Sequence, residues 1–347
     1  MDLKGFEARK RDHLRLALDE TNQAAGGNGL DRIRLAHRAL PEINFADVRI
    51  DTDFFGKSAA SPCFISSMTM GHGEGEALNA RLASIAAAKG WPMGVGSQRR
   101  ELTDADSAAE AKRLRKAAPA ATLFSNIGLA QLISAKPGEI ARIVENLGAV
   151  ALFVHCNSLQ EAIQPEGTPN FAGGIRALAA LTQSFATPVI VKETGCGFSA
   201  EDFRRLAETG VRAIDVSGYG GTHWGRIEGG RADLGSVRAE AAKTFAFWGE
   251  PTLDSLLTAR DWQTASGECT EIWASGGIRS GLDAAKCLAL GAAKVGFAKP
   301  ALAAAQAGEA SLAAWMECIE FELKVALFCT GSASPGELGK GEKWRRI

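Results

Sequence analysis

The sequence predicts an α/β fold, a (β/α)8 TIM barrel with an N-terminal extension. Three observations carry that expectation. Short apolar runs recur about eight times, helix-like stretches lie between them, and the runs are spaced mostly by about 25 to 38 residues, the rhythm of strand and helix in alternation. Each run also ends in small or polar residues, as barrel strands do where they open on the catalytic face.

Taken in order, PCFISSMT from Pro62 ends in Ser67, Met68 and Thr69, and PMGVGSQ from Pro92 ends in Ser97 and Gln98 with Arg99 next. ATLFSN from Ala121 ends in Asn126. AVALFVHCN from Ala149 breaks abruptly into His155, Asn157, Gln160 and Glu161 before Pro165 and Gly167 turn the chain away. PVIVKET from Pro188 closes on Lys192, and AIDVSG from Ala213 on Ser217. EIWASGG from Glu271 gives Gly276 and Gly277 with Arg279 beyond, and AKVGFAK from Ala293 gives Ala298 and Lys299. Helices are expected between them, for example Glu76 to Gly90, Glu201 to Gly210 and Gly281 to Gly291, two of them closing on a glycine suited to a left-handed cap.

Residues 1–55 precede the barrel and residues 56–347 form it. The extension carries RKRDHL, in which Arg9 and His13 stand four apart with Lys10 alongside, so that a helix presents them together. A long loop of about 218–250 follows the sixth strand, more lid or substrate loop than separate domain.

Composition narrows the function. A formal net charge of -1 leaves no basic footprint for nucleic acid. No window approaches a membrane span, and no secretory signal is present. Seven scattered cysteines without a C-x-x-C pair point to reduced thiols in the cytoplasm and to no structural zinc site.

Read as one ring, the strand ends make a polar mouth. The glycine turns after strands seven and eight, each with a cation beside it, suit a phosphate such as that of a flavin. Lys192, at the end of the apolar VIVK, could form a Schiff base or supply a fixed charge beside a reduced flavin ring. A lysine paired with Glu193 is the plainer alternative.

RKRDHL, HRALPEI, ISSMT, MGVGSQR, SNIG, HCNSLQEAIQPEG, VKETGCG, VSGYGGTHW, ASGGIRSG and TGS occur in this order, and by them the chain resembles the type 2 isopentenyl diphosphate isomerases. The resemblance implies isomerisation of isopentenyl diphosphate to dimethylallyl diphosphate in isoprenoid biosynthesis. Reduced FMN would serve as the acid–base group, NADPH or NADH as its reductant, and Mg²⁺ would hold the diphosphate. It assigns Arg9, Lys10, His13, Ser97, Gln98, Arg99 and Gln160 to substrate, and Gln160, His155 and Asn157 to the catalytic group. Glu161 becomes the metal ligand. Ser67, Met68, Thr69, Ser97, Asn126, Lys192, Ser217, Thr222, Gly276, Gly277, Arg279, Ala298 and Lys299 are assigned to FMN. A cytoplasmic homotetramer or homo-octamer is also implied. The family's MTGG reads MTMG here, and a methionine at Met70 is strained if the turn needs a positive φ. Tyr219 and His223 also depart from the family's commonest residues.

The alternative is an FMN-dependent 2-hydroxy-acid oxidase on the same barrel. Such oxidases carry a His and an Arg around the sixth strand, where SGYGGT places Tyr219 and Thr222.

Overall fold

A computed structural model describes residues 3–70, 73–341 and 343–347 of the chain. Eight strands close a parallel barrel: β1 (Cys63–Ile65), β2 (Met93–Gly94), β3 (Leu123–Gly128), β4 (Ala151–His155), β5 (Val189–Lys192), β6 (Ala213–Asp215), β7 (Glu271–Ala274) and β8 (Lys294–Phe297). Each of the eight apolar runs supplies one strand, and β8 pairs back onto β1 through Val295 and Cys63. The three expected helices are Gly73–Lys89, Ala200–Ala207 and Gly281–Ala289. Gly90, Gly210 and Gly291, which follow them, all take positive φ.

Alternation along the strands sorts side chains between two cores. Phe64, Phe124, Phe153, Ile190 and Trp273 point inward and fill the barrel. Ile65, Leu123, Leu152, Val189 and Ile272 belong to the larger cluster shared with the surrounding helices. The barrel floor is closed by an antiparallel hairpin, Thr52–Phe54 with Lys57–Ala59. Its two-residue turn has φ of 53° at Phe55 and 82° at Gly56, the sense that matches the strand twist. The turn delivers Phe54 into the aromatic cluster, 5.5 Å from Trp273 and 6.0 Å from Phe124 between ring centroids. Lys294 Nζ sits 4.7 Å above the Phe54 ring and donates to Thr52 Oγ1. Phe54→Ala should therefore cost about 3–5 kcal/mol of stability. An unchanged urea midpoint would show that the plug is not part of the core.

The N-terminal segment is fastened to the barrel at several points. Ile33–Leu35 pairs antiparallel with Trp344–Arg346, near the other end of the chain. Gln23 bridges to Thr222, and Ala24 N–H donates to Gly221 O at 2.7 Å. These contacts hold the helix Leu3–Leu18 over the C-terminal mouth, against the helix Trp224–Arg231 that begins the long insertion. The insertion contains a second helix, Val237–Thr244, packed on the first.

Candidate active site

Parallel register brings residues distant in sequence into one row. Gly128 pairs with His155, His155 with Lys192, and Lys192 with Asp215, so four strand ends set these groups side by side at the rim. Above them opens a cavity of about 410 Å³. It is lined by every residue expected in the site except Gln98.

One wall comes from β4 and the short helix after it, Ser158–Ile163. Asn157 Nδ2 donates to Gln160 Oε1 at 3.1 Å and to Glu161 Oε1 at 3.2 Å. Glu161 Oε2 accepts from Thr168 N–H at 2.5 Å. Gln160 Nε2 donates to Glu228 Oε1 at 2.7 Å, which fixes which end of the amide faces which partner. Glu228 is fully buried, 2.9 Å from His13 Nε2 and 2.5 Å from Arg231 Nη1. Burial alone would raise this carboxyl. The bonds from His13 and Gln160 and the charges of His13 and Arg231 outweigh it and hold the group down to about 2.

His155 Nδ1 lies 2.6 Å from Asn126 Oδ1. A carboxamide oxygen only accepts, so Nδ1 carries the proton and Nε2 keeps a lone pair. Burial, with Lys192, Lys10 and Arg99 nearby, pushes the imidazole down to about 3 and keeps it neutral.

Arg9 and Lys10 from the N-terminal helix and Arg99 from the turn after β2 form a cationic roof. Arg9 is only 5% exposed. Burial, then the charge of Arg99, lowers Arg9 to about 10 and, with Arg9 adding to it, Lys10 to about 7. Three cations gathered under low solvent access suit an anion.

The opposite end is built from backbone. Gly276 and Gly277 have φ of 98° and 71°, and a Cβ on them would stand 2.2 Å from the carbonyl oxygens of Gly218 and Gly220 respectively. Thr252 Oγ1 donates to Gly276 O, and Asn28 Nδ2 to Gly277 O. Helix Lys299–Ala307 starts at Ala298 with no side-chain cap, leaving its first N–H groups to face the cavity. The cations expected beside these turns line the cavity and also brace its wall. Arg279 donates to Gly277 O and Gly220 O and so braces the loop, while Lys299 Nζ donates to Glu20 at 2.7 Å.

A flat cofactor with a phosphate tail suits this arrangement on the orphaned atoms alone. The hydroxyl oxygens of Ser67 and Ser97 are buried in the lining residues with no hydrogen-bond partner among the described residues. Lys192 stands at the rim, its Nζ donating to Glu193 O at 2.9 Å and not to that residue's carboxylate. The Glu193 carboxylate instead accepts from the N–H groups of Thr194, Cys196 and Gly197, so the two side chains are not an ion pair. A hard divalent cation suits Glu161, whose carboxylate faces the cavity with one hydrogen bond on each oxygen and lone pairs left over. Among the described residues no group of three or more His, Cys, Asp or Glu gathers for a metal, so the remaining ligands would come from substrate and water.

Two expectations change. Gln98 is not in the site: its Nε2 donates to Glu101 Oε1 and Ile143 O, and its Oε1 accepts from Asn126 N–H. Ser97 and Arg99 face the cavity, and the residue between them faces away. Met70 is not among the described residues with positive φ; it is 2% exposed and 3.5 Å from Asn79 Nδ2, so no left-handed turn strains it. Tyr219 and His223 do not line the cavity. They pack edge to face at 5.7 Å, with His223 Nδ1 capping the helix Trp224–Arg231 through Arg226 N–H. Sequence reasoning passed over Glu228, Arg231 and Trp224, whose four- and three-residue spacing on a helix was the available signal.

The FMN-dependent dehydrogenase family matches residues 102–345 of this chain. The isopentenyl-diphosphate delta-isomerase of Bdellovibrio bacteriovorus is 51% identical over 337 residues, covering 96% of each chain. That of Methanoregula boonei is 43% identical, covering 94% of this chain and 90% of the relative. Among solved structures, a flavocytochrome b2 mutant with benzoylformate has a TM-score of 0.69 at 19% identity, covering 99% of this chain and 86% of that one. A mandelate oxidase mutant with an FMN adduct has a TM-score of 0.65 at 19% identity, covering 100% and 99%. At such identities the two structures speak for the barrel alone.

Proposed function

Because this chain belongs to the isopentenyl-diphosphate delta-isomerase family, on the FMN-dependent dehydrogenase barrel, we propose that it isomerises isopentenyl diphosphate to dimethylallyl diphosphate over reduced FMN, with Mg²⁺ at Glu161. One observation carries the reading: a single cavity is furnished for two anions. The glycine turns and the uncapped helix at Lys299 suit the FMN phosphate, and Arg9, Lys10 and Arg99 suit a diphosphate.

When bound, reduced FMN supplies an electron-rich acid–base group beside the alkene. The protein's own residues do the rest. Arg9, Lys10 and Arg99 grip the diphosphate, neutral His155 and Asn157 position it, and Glu161 would hold the Mg²⁺ that offsets its charge. Gln160 lines the same cavity and would face the hydrocarbon of the substrate. A carboxamide does not titrate near neutrality, so it orients the substrate, itself held in place by its bond to the Glu228 carboxylate. Trp224, edge to face with His13 at 5.2 Å, helps the N-terminal helix exclude water from this corner. Lys192 would stabilise negative charge on the reduced ring, and Ser67, Met68, Thr69, Ser97, Asn126, Ser217 and Thr222 would hold the rest of the cofactor.

The oxidase alternative loses its base. At the sixth strand Tyr219 is buried outside the cavity and Thr222 offers a hydroxyl, so neither an imidazole nor a guanidinium stands there.

The purified protein should show a flavin spectrum. Anaerobically, isomerisation should begin only after reduction by dithionite or NAD(P)H and should consume no reductant per turnover. Stoichiometric NAD(P)H oxidation with product would make the flavin a redox partner and defeat the proposal. Among the described residues no helix is long and apolar enough to cross a membrane. The reduced, scattered cysteines support a cytoplasmic enzyme, and the family resemblance supports a homotetramer or homo-octamer.

A further inference from the structure

The wall that holds Glu161 carries one polar group for which the reaction as described has no use. Asn157, Gln160, Glu161 and Gln164 follow one another at spacings of three, one and three residues, so the short helix Ser158–Ile163 and its flanks turn all four toward the cavity. Three of them hold one another, Asn157 donating to both Gln160 and Glu161. Gln164 does not join that network. It is 4% exposed and lines the cavity, yet its Nε2 is buried with no hydrogen-bond partner among the described residues.

A buried amide donor without an acceptor is disfavoured, so a native site that keeps one has a partner that arrives from outside. The donor's chemistry limits what that partner is. An N–H needs an acceptor, and the acceptors expected beside Glu161 are the oxygens of a bound anion. A half-turn about the last torsion exchanges the two ends of a carboxamide, so Gln164 can present its N–H at either of two positions. Its main chain is fixed meanwhile: Gln164 N–H donates to Gln160 O at 2.8 Å and Gln164 O accepts from Gly167 N–H at 3.0 Å. Such an anchor costs little entropy when the side chain engages.

We propose that Gln164 is a further substrate-binding residue, donating a side-chain N–H to an anionic oxygen of the diphosphate anchored at Glu161. The inference rests on the diphosphate reading of this cavity. A neutral donor here adds direction that the cations Arg9, Lys10 and Arg99 lack, because it fixes the face of the diphosphate turned toward the helix.

The test is calorimetric titration of inorganic diphosphate, with Mg²⁺ present, into the full-length, FMN-loaded and dithionite-reduced protein. Gln164→Leu should weaken binding roughly tenfold to thirtyfold, the size of one hydrogen bond to a charged acceptor. Gln164→Glu, equal in size but an acceptor, should bind more weakly still. FMN content and melting temperature should stay at wild-type values in both. Diphosphate binding by Gln164→Leu equal to wild type overturns the inference and leaves the diphosphate site standing. Lost flavin or a lowered melting temperature in both Gln164→Leu and Gln164→Met makes the amide a structural group and overturns it too. A wild-type protein that binds no diphosphate overturns the diphosphate reading itself, and this inference with it.

Discussion

Gln160→Ala and Glu161→Ala should each lose at least ~100-fold of isomerase activity while keeping bound FMN. The two effects have different origins. Glu161 faces the cavity as the carboxylate expected to hold the metal, so Glu161→Gln, which keeps its shape but not its charge, should fall almost as far and recover in part at high Mg²⁺. Gln160 is fixed by Asn157 on one side and Glu228 on the other, so Gln160→Ala removes a group set in place before substrate arrives, and added Mg²⁺ should not restore it. Neither side chain shares a hydrogen bond with the glycine cradle, so the flavin spectrum should survive in both. Full activity in both variants would sink the proposed site.

That pair was legible in the sequence for a physical reason. In a parallel barrel all strands end on one face, so residues scattered along the chain become neighbours once the strands are placed, and the row Gly128, His155, Lys192 and Asp215 follows from register alone. Side-chain direction at a strand end was harder to read. SQR looks like three site residues, yet the strand has ended at Gly94 and a tight helical turn starts at Arg99, which leaves Ser97 and Arg99 on the cavity and turns Gln98 against Glu101 and Ile143. Glu228 and Arg231 were harder to place for another reason. They lie in an insertion whose position no strand repeat fixes, and its packing on the helix Ser158–Ile163 and on the N-terminal helix brings Glu228 to Gln160 and His13. The cations beside the phosphate turns have a second role that no motif announced: Arg279 donates to two carbonyls and Lys299 to Glu20, so they brace the loop while lining the cavity.

Arg9→Ala/Lys10→Ala should raise KM strongly and leave flavin content unchanged. Both residues reach the cavity from a helix that precedes the barrel, and with Arg99 they put three cations where a diphosphate of about three negative charges would lie. Added salt should raise the KM of wild type and of the single variants, since part of the attraction acts across water at the mouth. Lys10 should also give wild type a pH dependence. Burial, then Arg99 and Arg9, hold Lys10 at about 7 in the free protein, against the opposing pull of Glu110 and Glu228. Below that value it is charged and ready for the anion. Above it, binding must first take up a proton, so KM should climb as pH rises past 7, and Lys10→Ala should flatten the climb while starting from a weaker KM. Deleting residues 1–12 should reproduce the double variant in a protein that still holds FMN. Unaltered kinetics in a folded, flavin-loaded truncation would make the helix a solvated face, and lost flavin would make it a buttress of the barrel.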